Sequence, residues 1–253
     1  MIELKTREEI EKLRYSNRIV AEILQLLKEE TKPGMTGVDI DEIARIECEK
    51  RGVKPAFLGL YGFPAAVCVS INEEIVHGVP KKNRILKKGD IVSLDFGVVV
   101  DGWYGDAAIS FVLGNKISDR KKRLLEGVEE ALRAGIEKCI PGNTVKDIAA
   151  AIEGTLEAYR LAPICDYGGH GIGRKPHEEP HVSNCVANAE DVLLKPGMVL
   201  AIEPMATLGR RKNFYRKLKD GWTVVSKEKA LAAHFEHSVA VTENGPDILS
   251  KLD

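Results

Sequence analysis

The sequence predicts an α+β chain of two similar halves, with helices covering one curved antiparallel sheet. Two segment repeats and one periodicity lead there. Pro33-Gly34-Met35-Thr36, followed by Asp39-Ile40, returns as Pro141-Gly142-Asn143-Thr144, followed by Asp147-Ile148. At the same offset, Leu86-Lys87-Lys88-Gly89-Asp90-Ile91-Val92-Ser93-Leu94-Asp95 aligns with Leu194-Lys195-Pro196-Gly197-Met198-Val199-Leu200-Ala201-Ile202-Glu203. One offset shared by two segments reads as duplication. In each half, helical periodicity precedes β-branched runs.

Thr6-Arg7-Glu8-Glu9 is a capping box that opens the first helix. Ile10, Leu13, Asn17, Val20, Leu24 and Leu27 then form a mostly apolar stripe at three-and-four spacing. A second helix is predicted from about Thr36 to Arg51, stopped by Gly52. Helices near 118–139 and 144–160 mirror these two. Strands are predicted near 65–71, 90–100, 103–113, 198–203, 222–226 and 238–242. No linker interrupts the pattern, so residues 1–253 are read as one domain with halves of about 1–110 and 111–253.

Apolar residues at 44%, charged residues at 30% and a net charge of -1 describe an ordinary water-soluble chain. No global field recruits nucleic acid or acidic membrane. The basic runs Arg120–Arg123, Arg210–Lys212 and Arg216–Lys219 are read as solvated faces, with the ribosome near emerging chains as the alternative partner. Five cysteines with no C-x-x-C pair argue against a disulfide framework and a thiolate zinc site. Without an apolar leader or a long apolar run, a cytoplasmic monomer is expected.

Asp101-Gly102 is a two-residue hairpin signal between Ile91–Val100 and Trp103–Val112. With those two residues as the loop, Gly97 faces Asp106 and Asp95 faces Ala108. Asp95 and Asp106 then share a sheet face as diagonal neighbours, about 7–8 Å apart at the backbone. Small Gly97 and Ala108 would leave the space before them open. The repeat aligns Asp95 with Glu203, again ending an apolar strand, and Glu236 precedes Val239-Ala240-Val241. Four carboxylates converging on a core repel unless cations lie between them.

His170 sits in Gly168-Gly169-His170-Gly171-Ile172-Gly173, read as a loop in which glycines allow close backbone approach. Four carboxylates and one imidazole balance two divalent cations. His177-Glu178-Glu179-Pro180-His181 matches H-E-x-x-H, but Pro180 denies it the helix that zinc motif needs. His177 is read instead as a hydrogen-bond donor beside the site. His77 follows a strand and enters a loop; His234 and His237 flank Glu236 and receive no chemistry.

Together these residues resemble the methionine aminopeptidases, in their short bacterial type I form. The resemblance covers essentially the whole chain. It is carried by Val67-Cys68-Val69-Ser70-Ile71-Asn72-Glu73 with His77-Gly78, by Gly89-Asp90-Ile91-Val92, and by Asp101-Gly102 with Gly105-Asp106. It continues through Gly169-His170-Gly171-Ile172-Gly173, His177-Glu178-Glu179-Pro180, Leu194-Lys195-Pro196-Gly197-Met198 and Ile202-Glu203-Pro204-Met205. Asp220-Gly221-Trp222-Thr223-Val224 and Glu236-His237 complete it.

The resemblance implies the pita-bread fold and a centre of two divalent cations held by Asp95, Asp106, His170, Glu203 and Glu236. Asp106 and Glu236 stand where the family's ligands bridge both metals. It implies hydrolysis of the first peptide bond of nascent polypeptides that carry an N-terminal methionine and a small second residue. Glu203 would take a proton from the attacking water, and His177 with His77 would hold the carbonyl or its oxyanion. Phe63, Cys68, Trp222 and Leu60 would line the methionine pocket. Oxygen-rich ligation with one imidazole suits manganese, iron(II), cobalt or zinc.

Many bacterial relatives carry Tyr-His-Gly-Tyr-Pro where Leu60-Tyr61-Gly62-Phe63-Pro64 stands here, and Pro176 replaces a common phenylalanine. These positions bear on which second residues and inhibitors fit. The alternatives kept open are a proline-directed aminopeptidase or dipeptidase on the same fold and a non-catalytic binding relative.

Overall fold

The structure, a computed structural model, describes residues 2–252. The first half runs α1 (Arg7–Glu30), α2 (Gly37–Arg51), β1 (Lys54–Pro55), β2 (Val67–Ile71), β3 (Glu74–Val76), β4 (Ile91–Val100) and β5 (Trp103–Val112). The second begins with α3 (Asp119–Glu137), α4 (Val145–Ala158), β6 (Ala162–Pro163), β7 (Gly168–Gly171) and β8 (Glu178–Ser183). It continues with β9 (Val199–Ile202), β10 (Met205–Thr207), β11 (Tyr215–Lys217), β12 (Val224–Ser226), β13 (Ala232–His234), β14 (His237–Thr242) and β15 (Gly245–Ile248).

Local chemistry sets the helix starts. Thr6, Thr36 and Thr144 each close a capping box with the acid three residues on. The repeated Pro-Gly turn docks alike in both halves. Gly34 N–H donates to the Leu86 carbonyl at 2.9 Å and Gly142 N–H to the Leu194 carbonyl at 3.3 Å. Gly34 and Gly142 adopt φ of +97° and +91°, which favours glycine there.

β4 is the centre of the first sheet, with β5 on one edge and β1 and β2 on the other. Its counterpart β9 lies between β14 and β7, with β15 and β8 outside. β6, β10 and β13 form a third piece; β3, β12 and β11 form a fourth. The curved sheet is thus laid down as four hydrogen-bonded pieces, all paired antiparallel. The two largest meet where Ala108 and Glu236 exchange backbone hydrogen bonds of 2.9 and 3.4 Å. Serines extend that seam. Ser110 Oγ donates to the His234 carbonyl at 2.7 Å and accepts from its N–H at 3.0 Å. Ser238 Oγ donates to the Asp106 carbonyl at 2.9 Å.

Period-two alternation decides which face of β4 and β5 each residue meets. Val92, Leu94, Phe96, Val98, Ala107 and Phe111 pack against Val20, Ile23, Leu24 and Leu27 of α1. A second core joins Leu124, Val128, Leu132, Ile148 and Ile152 to Leu200, Ile202, Val239 and Val241. Each such side chain contributes roughly 1.5–3 kcal/mol on full burial. Asp95 and Asp106 are left on the opposite, concave face.

The expectation of no disulfide is corrected at one pair. Cys165 and Cys185 are bonded, with Cα atoms 5.2 Å apart across a separation of 20 residues. Cys48, Cys68 and Cys139 are free and buried. An odd count hides one pair, because the β7–β8 excursion that brings the two together is a tertiary event. Replacing Cys185 with Ser should lower unfolding free energy by about 3 kcal/mol, the loop-closure value for this separation. Urea denaturation with and without reductant measures it; a reductant-insensitive wild-type midpoint contradicts the bond.

Candidate metal centre

The hairpin reading of β4 and β5 holds residue by residue: Gly97 lies opposite Asp106 and Asp95 opposite Ala108, without a register shift. One detail differs. The space before Gly97 is occupied, since a Cβ there would meet the Phe57 ring at 3.0 Å and Ala56 at 3.2 Å. Glu203 directly follows β9 and Glu236 directly precedes β14, so the seam carries both to the same concave face.

His170 is on strand β7 and not in a loop as expected. The glycines serve close strand contact: a Cβ on Gly169 would fall 1.9 Å from the Ala201 carbonyl oxygen. The β7–β9 pairing then aims His170 at the acids, with Nε2 3.6 Å from Glu203 Oε1. Ligand-competent atoms of Asp106, His170 and Glu236 lie within 4.8 Å of one another. The same holds for Glu203, His234 and Glu236, so Glu236 belongs to two adjoining groups. Asp95 is in neither group but lines the same cavity.

His77 follows β3 with φ of +56°, a strained conformation for a non-glycine residue. Its ring meets Tyr167 edge-on at 5.7 Å. His177 stands at the mouth, its ring 4.5 Å from that of His170 and 6.1 Å from that of Tyr61. The H-E-x-x-H decoy is extended chain: Glu178–Ser183 is strand β8, and His181 pairs with His170 across the ladder.

Burial and mutual repulsion outweigh the compensation that protein groups give these acids. Burial raises the Asp95 carboxyl to about 6, against the opposing pull of His234 and of the Cys68 thiol. Asp106 is pushed well above the carboxylate range by burial and then by Glu236, Asp95 and Glu203. Glu203 and Glu236 are raised the same way. Burial lowers His170 to about 3 and His77 to about 4. Asp106 Oδ1, Glu236 Oε1 and His234 Nε2 are buried with no hydrogen-bond partner among the described residues. Oxygen and imidazole atoms with free lone pairs, in a net acidic pocket, fit divalent cations.

A stability prediction follows. A group whose folded pKa is raised stabilises below its unfolded pKa and loses that contribution as pH rises through the folded value. The lowered imidazoles act oppositely, but above about pH 7.5 they are largely neutral in both states. As pH rises beyond about 7.5, the metal-free protein should therefore melt at progressively lower temperature while the buried acids ionise. Saturating divalent cation should abolish that decline; an unchanged slope in scanning calorimetry would contradict cation binding at these acids.

Beside the acids the cavity, about 280 Å³, is walled by Phe57, Leu60, Tyr61, Phe63, Cys68 and Trp222. Phe63 meets Trp222 edge-on at 5.3 Å. Asp220 holds the turn before Trp222, accepting from its N–H at 3.1 Å and from Thr223 N–H at 2.9 Å. Pro176 is not among the residues lining the cavity. Sequence reasoning passed over Phe57, His234, Asn17 and Asn184. Asn17 Oδ1 accepts from Asp106 N–H at 3.1 Å, and Asn184 Nδ2 donates to the Glu203 carbonyl at 3.1 Å. A polar residue inside the α1 apolar stripe was the signal for Asn17.

Residues 11–243 match metallopeptidase family M24. The chain is 49% identical to the methionine aminopeptidase of Aquifex aeolicus over 99% of both. The crystal structure of a methionine aminopeptidase from Thermotoga maritima superposes with a TM-score of 0.95 at 41% identity, covering all of both chains. That of the Rickettsia prowazekii methionine aminopeptidase gives 0.95 at 35% identity, over 99% of this chain and 100% of that one. The helix-covered antiparallel sheet, its acid-lined cavity and these likenesses lead to one assignment: the chain belongs to metallopeptidase family M24, within its methionine aminopeptidase group.

Proposed function

We propose that this chain removes the N-terminal methionine from nascent polypeptides whose second residue is small. The observation that carries the proposal is a single cavity lined both by acids and imidazoles and by apolar side chains. A thioether side chain fits the apolar walls, while the bond to be cut lies toward the acids.

Asp95, Asp106, His170, Glu203 and Glu236 would hold two divalent cations, Glu236 being the residue common to both donor groups. When bound, such cations lower the pKa of water from ~15.7 toward ~7 and withdraw charge from a carbonyl oxygen. Manganese, iron(II), cobalt and zinc all suit the donors. Glu203 accepts the proton of the attacking water and returns it to the leaving amine. His177 at the mouth, with His77 on its strained turn, donates to the scissile carbonyl as negative charge develops there. Phe63, Cys68 and Trp222, joined by Phe57 and Leu60, hold the methionine side chain.

The whole chain acts as one catalytic domain, a monomer in the cytoplasm, without specific nucleic-acid or membrane partners. No helix among the described residues is long and apolar enough to cross a membrane. Contact with the ribosome near the exit tunnel would fall to the basic loops, although Lys212 is engaged by Glu153 at 2.6 Å and Glu157 at 2.7 Å.

The test is cleavage of Met-Ala-Ser, Met-Lys-Ser and Ala-Pro-Ser peptides, with EDTA and after metal restoration. Cleavage of the first alone, lost in EDTA and recovered with cation, is expected. Cleavage of Ala-Pro-Ser would favour the proline-directed reading, and EDTA-resistant turnover would defeat the metal centre.

A further inference from the structure

Glu203 presents its two carboxylate oxygens to two different imidazoles. Oε1 lies 3.6 Å from His170 Nε2, and Oε2 lies 3.4 Å from His234 Nε2. The first pair stands as two donors to one cation do. The second needs another account, because His234 is 1% exposed and its Nε2 has no hydrogen-bond partner among the described residues. An unmet buried imidazole nitrogen is costly unless something nearby satisfies it.

Both backbones are fixed. His234 is gripped on both sides by Ser110, which itself meets Ser93 Oγ at 2.7 Å. The Glu203 carbonyl accepts from Asn184, whose amide also reaches the Tyr167 carbonyl at 3.2 Å. The side chains then need to close only the 3.4 Å between Oε2 and His234 Nε2.

We infer that His234 is a positioning residue: its Nε2–H donates to Glu203 Oε2 and so turns Oε1 toward the cation shared with His170. The inference deepens the proposed function and rests on Glu203 being a cation ligand. A ligand carboxylate with one oxygen held is oriented before the cation arrives, which raises affinity and keeps Glu203 aligned with the water it deprotonates.

The test compares wild type, His234→Leu and His234→Gln, each stripped and titrated with cobalt(II) by calorimetry, then assayed on Met-Ala-Ser. Leucine fills the space without a donor; glutamine restores one. His234→Leu should bind cobalt about 10- to 100-fold more weakly and lose a similar factor in kcat. Its KM should stay within about twofold, and His234→Gln should recover most of both losses. Equal melting temperatures of the stripped proteins separate this from misfolding; if His234→Leu does not fold, His234→Met carries the same comparison. Wild-type affinity and kcat in His234→Leu would overturn the inference, as would His234→Gln being equally impaired. One fewer ion bound at saturation would make His234 a ligand and overturn it too. Failure of the wild type itself to bind cation instead defeats the underlying reading.

Discussion

Replacing Asp106 with Ala should abolish methionine release, with turnover at least about 1,000-fold below wild type. Asp106 is 5% exposed, its Oδ1 has no hydrogen-bond partner among the described residues, and it shares a 4.8 Å group with His170 and Glu236. In the proposed centre Asp106 is a cation ligand, so cation stoichiometry should fall with activity. The fold should persist, because the Asp106 contacts to Asn17 and Ser238 run through its backbone N–H and carbonyl. The stripped variant should even melt above stripped wild type at pH 8, since one of four crowded carboxylates is gone. Calorimetric cobalt titration beside the peptide assay measures both effects. Wild-type-like activity in this variant would exclude the assigned centre.

The second large effect is expected at His177, where alanine should lower kcat by about 100- to 1,000-fold with cation content unchanged. Its ring reaches the cavity beside His170, yet it stands at the mouth and not among the buried donors. Its loop is pinned: Glu178 accepts from Lys175 N–H at 3.1 Å and pairs with Lys5 at 2.8 Å. Loss of the imidazole should therefore remove a donor without releasing the segment. Metal analysis and steady-state kinetics on Met-Ala-Ser separate the outcomes; loss of cation would place His177 among the ligands.

Much of this was legible in local chemistry. The Asp101-Gly102 turn is enough to align Asp95 with Ala108, because side chains alternate strictly and a two-residue loop leaves one register. The segment repeat was enough to match Glu203 with Asp95, and its reality appears in paired bridges, Thr36 to Ile85 and Thr144 to Leu193. Pro180 was enough to dismiss the zinc-helix pattern. His170 lies on a strand and not in the expected loop, since glycine-rich sequence reads as loop when no neighbouring strand is visible. Its true reason, a carbonyl too near for any Cβ, belongs to another strand.

Sequence by itself determined the helix starts, the β4–β5 register, the duplication and the acids at strand ends, all of which depend on interactions within a few residues or within one hairpin. Only the tertiary structure decided that Asn17 braces Asp106, that Phe57 covers Gly97, that Cys165 meets Cys185 and that His234 faces Glu203. Each pairing lies within one half, between elements that meet only when helices, loops and strands pack together. Their partners lie 20 to 89 residues apart along the chain, and no local periodicity carries the direction in which one packed surface meets another.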